Sequence, residues 1–251
     1  MSDWESYLKN NSEKFVSELI EFVNIPSVSA DLSYKEDVRK AGMWVANRLK
    51  AAGAENVKVM ETGGHPVVYG DWLHAGPEKP TIMIYGHFDV QPADPFELWD
   101  SDPFDAKIKD DIIYGRGASD DKGGMLIPIL SFEALLTSNG SLPVNVKFFF
   151  EGQEEIGSPQ LPEFVAEHKS LLTCDMLFSA DGLQWAADEA MMVMGLIGLV
   201  GIEIELKGPK GDQHSGLHGG AIQNPIMAVS HLIASMLSLI HISEPTRPER
   251  I

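Results

Sequence analysis

Basic residues are the scarce component of this 251-residue chain: 19 Lys and Arg stand against 37 Asp and Glu, for a formal net charge of −18. So acidic a surface repels polyanions, which excludes nucleic acid and anionic membranes as partners. Cysteine is scarcer still. Cys174 stands alone, so no intramolecular disulfide can form and no thiolate cluster is available for a soft metal. It sits in the mostly apolar run 174–178 with no histidine near it in sequence, and reads as a buried core thiol rather than a nucleophile. Long apolar runs are missing: the longest, Met191 to Ile202, is interrupted by three glycines and is too short to span a bilayer. The first ten residues lack the basic and apolar regions of a secretion signal, so the expected location is the cytoplasm. There is no G-x-S-x-G elbow for a serine hydrolase. After Gly115-Arg116-Gly117 the third glycine of a dinucleotide loop is absent as well.

What is present is an ordinary globular composition, 44% hydrophobic and 22% charged, long enough for one or two domains. Apolar periodicity predicts an amphipathic helix over 3–24, stopped by Pro26, and a second from about Tyr34 to Ala52 with Gly53 just beyond its end. Strands are predicted at 57–61, 67–72 and 81–85, the last almost wholly apolar, and a hairpin at 108–114 around Asp110 and Asp111. An apolar helix follows Gly124 and ends near Asn139-Gly140. Then come a strand at 144–150 with three consecutive phenylalanines, a short helix at 159–168 and a strand at 176–180. Helix and strand alternate, which predicts an α/β fold with a covered sheet. At about Met194 the texture changes: a β run, 196–206, leads through a glycine-rich loop, 207–220, to a helix from Asn224 to about Met236.

The chemistry-bearing residues all follow predicted strands. His87 and Asp89 follow 81–85, Asp120 follows 112–114, Glu154 and Glu155 follow 144–150, and Asp181 follows 176–180. Strand ends line the ligand crevice of an α/β sheet. One histidine and several carboxylates converging there make a mixed N/O site for a divalent metal such as Zn²⁺, Mn²⁺ or Co²⁺. Residues two apart on an extended segment point the same way, so Asp89 could hold the non-ligating nitrogen of His87. In the Glu154-Glu155 pair one acid can bind metal while its neighbour handles a water proton. Each residue also has a plainer role open to it. Asp120 and Asp121 could cap the following helix, Glu154 and Glu155 could do the same for the helix at Pro159, and Asp181-Gly182 is a common turn pair. Of the two central acids, Asp121 is the one expected to cap. His65, His74, His168 and His231 carry no supporting pattern, and surface or packing roles suffice for them.

Four segments in order, Gly86-His-Phe-Asp-Val-Gln-Pro92, Gly115-Arg-Gly-Ala-Ser-Asp-Asp-Lys-Gly123, Glu151-Gly-Gln-Glu-Glu-Ile-Gly-Ser158 and Asp212-Gln-His-Ser-Gly216, resemble those of the M20 metallopeptidases. The branch they look most like is the dipeptidases of the carnosinase and cytosolic non-specific type, over residues 4–236. The resemblance implies a three-layer, zinc-exopeptidase-like catalytic domain with a mixed, mostly parallel sheet over 1–195. It implies the start of an α+β lid and dimerisation domain over 196–236. Two divalent ions are implied, Zn²⁺ first and Mn²⁺ or Co²⁺ as alternatives. His87, Asp120 and Asp181 would hold one, and Asp120 would bridge to a second that Glu155 also binds. Glu154 would be the general base acting on a water bridged between the metals, with Asp89 orienting His87. His214 would reach a partner subunit's active site and stabilise the oxyanion, in a homodimer built through the lid. A cis peptide after Asp120 is implied too.

The implied substrate is a dipeptide or small peptide amide. Another M20 amidohydrolase, a deacylase or desuccinylase, is one alternative, and a non-catalytic metal-binding protein on the same scaffold is another. Family members are much longer, and their later part returns to the catalytic domain with a last metal-binding histidine, a substrate-binding arginine and final strands. The chain by itself is therefore expected to be inactive or nearly so. Residues 237–251 do not continue the family pattern and resemble translated adaptor read-through. His241 within them is not taken as the missing ligand.

Overall fold

Strand periodicity decides where the three consecutive phenylalanines go. In the computed structural model, which describes residues 3–182, 185, 186, 189, 191–195, 198 and 201–236, they lie on one strand whose successive side chains face opposite ways. Phe148 and Phe150 enter one apolar cluster, and Phe149 enters another on the opposite face of the sheet.

Two units form, Met1–Val193 and Met194–Ile251. The elements of the first are α1 (Asp3–Asn10), α2 (Ser12–Val23), α3 (Lys35–Ala52), β1 (Glu55–Met60), β2 (Val67–Trp72), β3 (Thr81–His87), β4 (Lys107–Lys109), β5 (Ile112–Tyr114), α4 (Lys122–Asn139), β6 (Asn145–Glu151), α5 (Leu161–Glu167), α6 (Lys169–Leu172) and β7 (Met176–Ser179). The main sheet has the order β1-β2-β6-β3-β7. It is mixed: β1 with β2 and β2 with β6 are antiparallel, while β3 runs parallel to both β6 and β7. Helices cover both faces, giving an α/β fold in three layers. Phe22 of α2, Val45 and Leu49 of α3, and Met125, Ile129 and Phe132 of α4 pack with Phe148 and Phe150. Phe164 of α5 packs with Val67, Met83 and Phe149 on the other side, where Cys174 is half-buried at the cluster's margin. Ile129 is fully buried, so Ile129→Val is expected to cost about 1 kcal/mol by urea denaturation, the loss of one well-packed methyl.

The parallel register pairs Thr81 with Asn145 and carries through to His87 opposite Glu151. The ends of β3, β6 and β7 therefore lie together, and the segments following them meet there. Local signals fix several boundaries. Gly53 and Gly140 take the left-handed conformation that stops α3 and α4. Asp110 and Asp111, at φ 52° and 61°, form the tight turn between β4 and β5.

The structure departs from the sequence reading at three places. The predicted helix 3–24 is two helices, broken at Asn11, whose side-chain amide donates to the carbonyl of Tyr7 at 2.8 Å; asparagine competes for backbone groups in this way. Helix α4 starts at Lys122 rather than after Gly124, because the Asp121 carbonyl already accepts from Met125 N–H at 2.7 Å. In the second unit, residues 201–206 make no strand pairing among the described residues, and Ile202 is 70% exposed; a strand needs a neighbour to satisfy its backbone. Residues 196, 197, 199, 200 and 237–251, which complete that β run and the tail, lie outside the described residues. The second unit contains α7 (Ser215–His218) and α8 (Pro225–Met236), the latter begun by Asn224, whose side chain accepts from Ile226 N–H at 2.9 Å. Among the described residues, no helix is long and apolar enough to cross a membrane.

Candidate metal centre

His87 ends β3 with its side chain fully buried. Its Nε2 faces Asp120 Oδ1 at 3.0 Å, Asp181 Oδ2 at 3.7 Å and Glu154 Oε2 at 3.9 Å. These carboxylates come from three other segments: Asp120 from the turn before α4, Asp181 from the segment after β7, and Glu154 from the turn after β6. One ligand atom each from His87, Asp120 and Asp181 lie within 4.8 Å of one another.

The other side of the imidazole faces Asp89. Nδ1 lies 3.1 Å from the Asp89 carbonyl and 3.4 Å from its carboxylate Oδ1. The backbone oxygen is thus the nearer partner, where sequence spacing pointed to the carboxylate. That carboxylate has a further task the sequence did not show: its two oxygens accept the backbone N–H groups of Glu154 and Glu155, each at 3.1 Å. One buried acid therefore ties the histidine segment to the Glu154-Glu155 turn.

Asp121 differs from expectation. It occupies the position before α4 but accepts no N–H from the helix. Its Oδ2 instead accepts the backbone N–H of His87 at 3.1 Å. Two glycines make the room: a Cβ on Gly86 would lie 2.6 Å from Asp121 Oδ2, and one on Gly124 would collide with Oδ1. The peptide between Asp120 and Asp121 is cis. Glu155 is turned toward Gln91, whose amide donates to its Oε2 at 2.9 Å and to its carbonyl at 3.0 Å. It is not part of the His87 group. His214 belongs to the second unit, where its Nδ1 accepts from Gly216 N–H at 3.0 Å before α7.

The charges are crowded. Burial pulls the His87 imidazolium pKa down, but the hydrogen bond and charge of Asp89, with Asp121 and Glu154, outweigh it and hold His87 at about 10. Burial lifts Asp121 to about 7 against the opposing pull of His87. Burial also raises Glu154 and Glu155. Carboxylates pushed toward neutrality around a protonated histidine mark a place that a cation would relieve. The donor set, one imidazole and several carboxylate oxygens, suits a borderline divalent ion such as Zn²⁺ or Mn²⁺.

Sequence reasoning missed several supports. Lys122 is fully buried, and its Nζ donates to the carbonyls of Phe22 at 3.0 Å and Ile25 at 2.6 Å, while burial lowers it to about 7. Its only sequence signal is a lysine opening an apolar helix. Glu151 is buried and accepts from Tyr85 Oη at 2.7 Å and Ser158 Oγ at 3.0 Å, bracing the turn that carries Glu154.

Comparison with known proteins agrees with this geometry. The profile of the peptidase family M20/M25/M40 matches residues 83–250, a range that takes in 237–250. The Cys-Gly metallodipeptidase dug1 of Schizosaccharomyces pombe is 32% identical over 246 residues, covering 93% of this chain and 51% of that protein. Among solved structures, human carnosine dipeptidase 1 superposes with a TM-score of 0.72 at 27% identity, over 95% of this chain and 53% of the other. The dipeptidase Dug1p of Saccharomyces cerevisiae gives 0.71 at 25% identity, over 94% and 52%. The chain spans about half the length of these relatives. With its profile match covering more than half of the sequence and its strand-end histidine and acids gathered at one point, the chain belongs to the M20/M25/M40 peptidase family.

Proposed function

We propose that this chain carries the metal centre of a dipeptidase that hydrolyses small peptide amides. The observation that carries the reading is the convergence of Asp120, Asp181 and Glu154 within 3.9 Å of His87 Nε2, where the ends of β3, β6 and β7 meet the turn that precedes α4. His87, Asp120 and Asp181 would hold one divalent ion, and Asp120 with Glu155 would face a second. When bound, such ions supply Lewis-acid chemistry, acidifying water and polarising a carbonyl.

Glu154 is the general base in this scheme. Its side chain is 38% exposed, open enough to meet substrate, and burial raises its carboxyl, which brings it closer to the pH at which it must take and return a proton. It takes the proton of the attacking water and delivers it to the leaving amine. Asp89 fixes both Glu154 and His87 through the hydrogen bonds described above. His214 is proposed to stabilise the oxyanion across a homodimer formed through the second unit. The cis-proximal Asp121 acts through the backbone N–H of His87, not on substrate.

The described residues offer three donors for the first ion but only Asp120 and Glu155 for the second, so the chain by itself is proposed to turn over dipeptides slowly or not at all. An assay with Mn²⁺ or Zn²⁺ over dipeptides, N-acyl and N-succinyl amino acids tests this. Dipeptide turnover by the chain that falls about 10²- to 10⁴-fold in Glu154→Gln would establish Glu154 as base and overturn the proposed inactivity. Preference for acyl or succinyl substrates would replace the dipeptidase reading by an amidohydrolase one.

A further inference from the structure

A cleft of about 520 Å³ opens between the turn before α3 and the loop after Pro92. This volume is in the range that holds small ligands, about 300–1,000 Å³. The cleft shares no residue with the His87 group, although its wall begins next to Gln91, the residue bonded to Glu155.

Its walls are aromatic and its rim is acidic. Tyr34, Phe96 and Phe104 form a chain of rings, with Tyr34 and Phe104 centroids 6.4 Å apart and Phe96 and Phe104 6.3 Å apart. Phe96 is 46% exposed and Leu32, on the same cleft, is 83% exposed. So much apolar surface open to water at a concave site is characteristic of a binding surface. Two carboxylates line it, Asp31 and Asp94. Asp31 Oδ1 accepts from Ser33 N–H at 2.8 Å, which fixes its orientation and holds its carboxyl below the usual range. Asp94 has no hydrogen bond or ion pair among the described residues.

The loop itself adds to the field. Residues 94–105 carry five acids, three aromatics and no Lys, Arg or His. Beside the loop, Lys107 pairs with Asp105, while Arg116 donates to the Pro92 carbonyl at 3.1 Å and lies over the Trp99 ring. The lining itself therefore combines three aromatic rings with two carboxylates and holds no Lys, Arg or His. A bare metal ion is a poor match, since the lining offers only two carboxylates, one committed to a backbone N–H, and no imidazole. An organic cation matches both features: its charge meets the carboxylates and the ring faces, and its apolar arm covers the exposed rings.

We infer that this cleft binds a small organic ammonium ion bearing an apolar arm, at a site separate from the metal centre. The ammonium hydrogens are donated to Asp94 and Asp31, and the arm lies against Phe96, Phe104 and Leu32. This goes beyond the dipeptidase reading and does not depend on it.

Benzylammonium chloride titrated into the metal-free chain, followed by calorimetry and ligand-observed NMR, tests the inference, with benzyl alcohol as the uncharged analogue. Binding of the amine is expected to weaken about fivefold or more in Asp94→Asn and in Phe96→Ala, to weaken with added salt, and to persist in His87→Ala. Both informative substitutions are at exposed positions, so loss of fold does not cloud the result. Equal binding of benzyl alcohol, or unchanged binding in Asp94→Asn, would overturn the inference. Binding lost in His87→Ala but kept in Phe96→Ala would also overturn it, by placing the amine among the carboxylates of the metal centre.

Discussion

Calorimetric titration of the chain with Zn²⁺ at pH 7, repeated in buffers of different ionisation enthalpy, is expected to show release of about one proton per ion bound. The source is His87. In the metal-free protein its imidazole is held at about 10 by Asp89, Asp121 and Glu154, against the contrary effect of burial, so it is protonated at neutral pH. A ligating nitrogen must be unprotonated, and the ion has to displace that proton. The sign follows: below about 10 each unit fall in pH weakens binding by about tenfold, and the slope flattens as pH approaches that value. His87→Ala is expected to abolish the proton release and weaken affinity by at least about 100-fold, since it removes a ligand outright and losses at outer-sphere partners already reach about 10- to 100-fold. Zinc binding with no proton release at pH 7, or release unaltered in His87→Ala, would rule out His87 as the ligand. The same raised pKa has a counterpart in stability. The metal-free protein gains stability from protonated His87 below its ordinary 6.5 and loses that gain as pH rises through about 10.

How far such a centre can be read from sequence depends on whether the signal is local. Gly53 and Gly140 stop their helices by a conformation that belongs to glycine itself, and the sequence places both stops. The β2 limits at Val67 and Trp72 and the β4-β5 hairpin are legible for the same reason: alternation and turn chemistry are local. The approach of His87, Glu154 and Asp181 was legible because they stand at or just after the ends of β3, β6 and β7, and strand ends meet in an α/β sheet; Asp120 follows β5 of the separate hairpin, and strand ends alone did not place it there. The partners they choose were not legible. Asp121 looks like a helix cap in sequence, but the missing side chains of Gly86 and Gly124 open a path to His87 N–H instead. Gln91 meets Glu155 across 64 positions, and Asp89 meets the Glu154 amide across 65, through the parallel register of β3 with β6. Nothing in either local stretch encodes those distances. The strand expected over 196–206 had the right residues, but its described part, 198 and 201–206, takes no strand pairing among the described residues.

Asp89→Ala is expected to destabilise the metal-free protein by about 3–5 kcal/mol, the range seen when one partner of a buried charged pair is removed. Three losses fall together. The N–H groups of Glu154 and Glu155 each lose a charge-assisted acceptor at 3.1 Å. Protonated His87 loses the carboxylate 3.4 Å from its Nδ1. A fully buried site is left with a hole that is polar on two sides. Asp89→Asn separates these effects. Its carbonyl can still accept one of the two amides, but its NH₂ faces the other donor, and the negative charge that would back His87 when it holds a cation is gone. It should therefore recover part of the stability and little of the Zn²⁺ affinity. Urea denaturation midpoints of the three proteins measure the first quantity and zinc titration the second. A loss under about 1 kcal/mol in Asp89→Ala would mean that solvent or a neighbouring acid replaces the clamp. Asn with full metal affinity would mean that Asp89 acts by hydrogen bonding alone and that the charge on His87 is balanced by Asp121 and Glu154. The expected order, wild type above Asn above Ala in stability but Asn close to Ala in affinity, follows from one carboxylate serving both the turn that carries the proposed base and the histidine that would hold the ion.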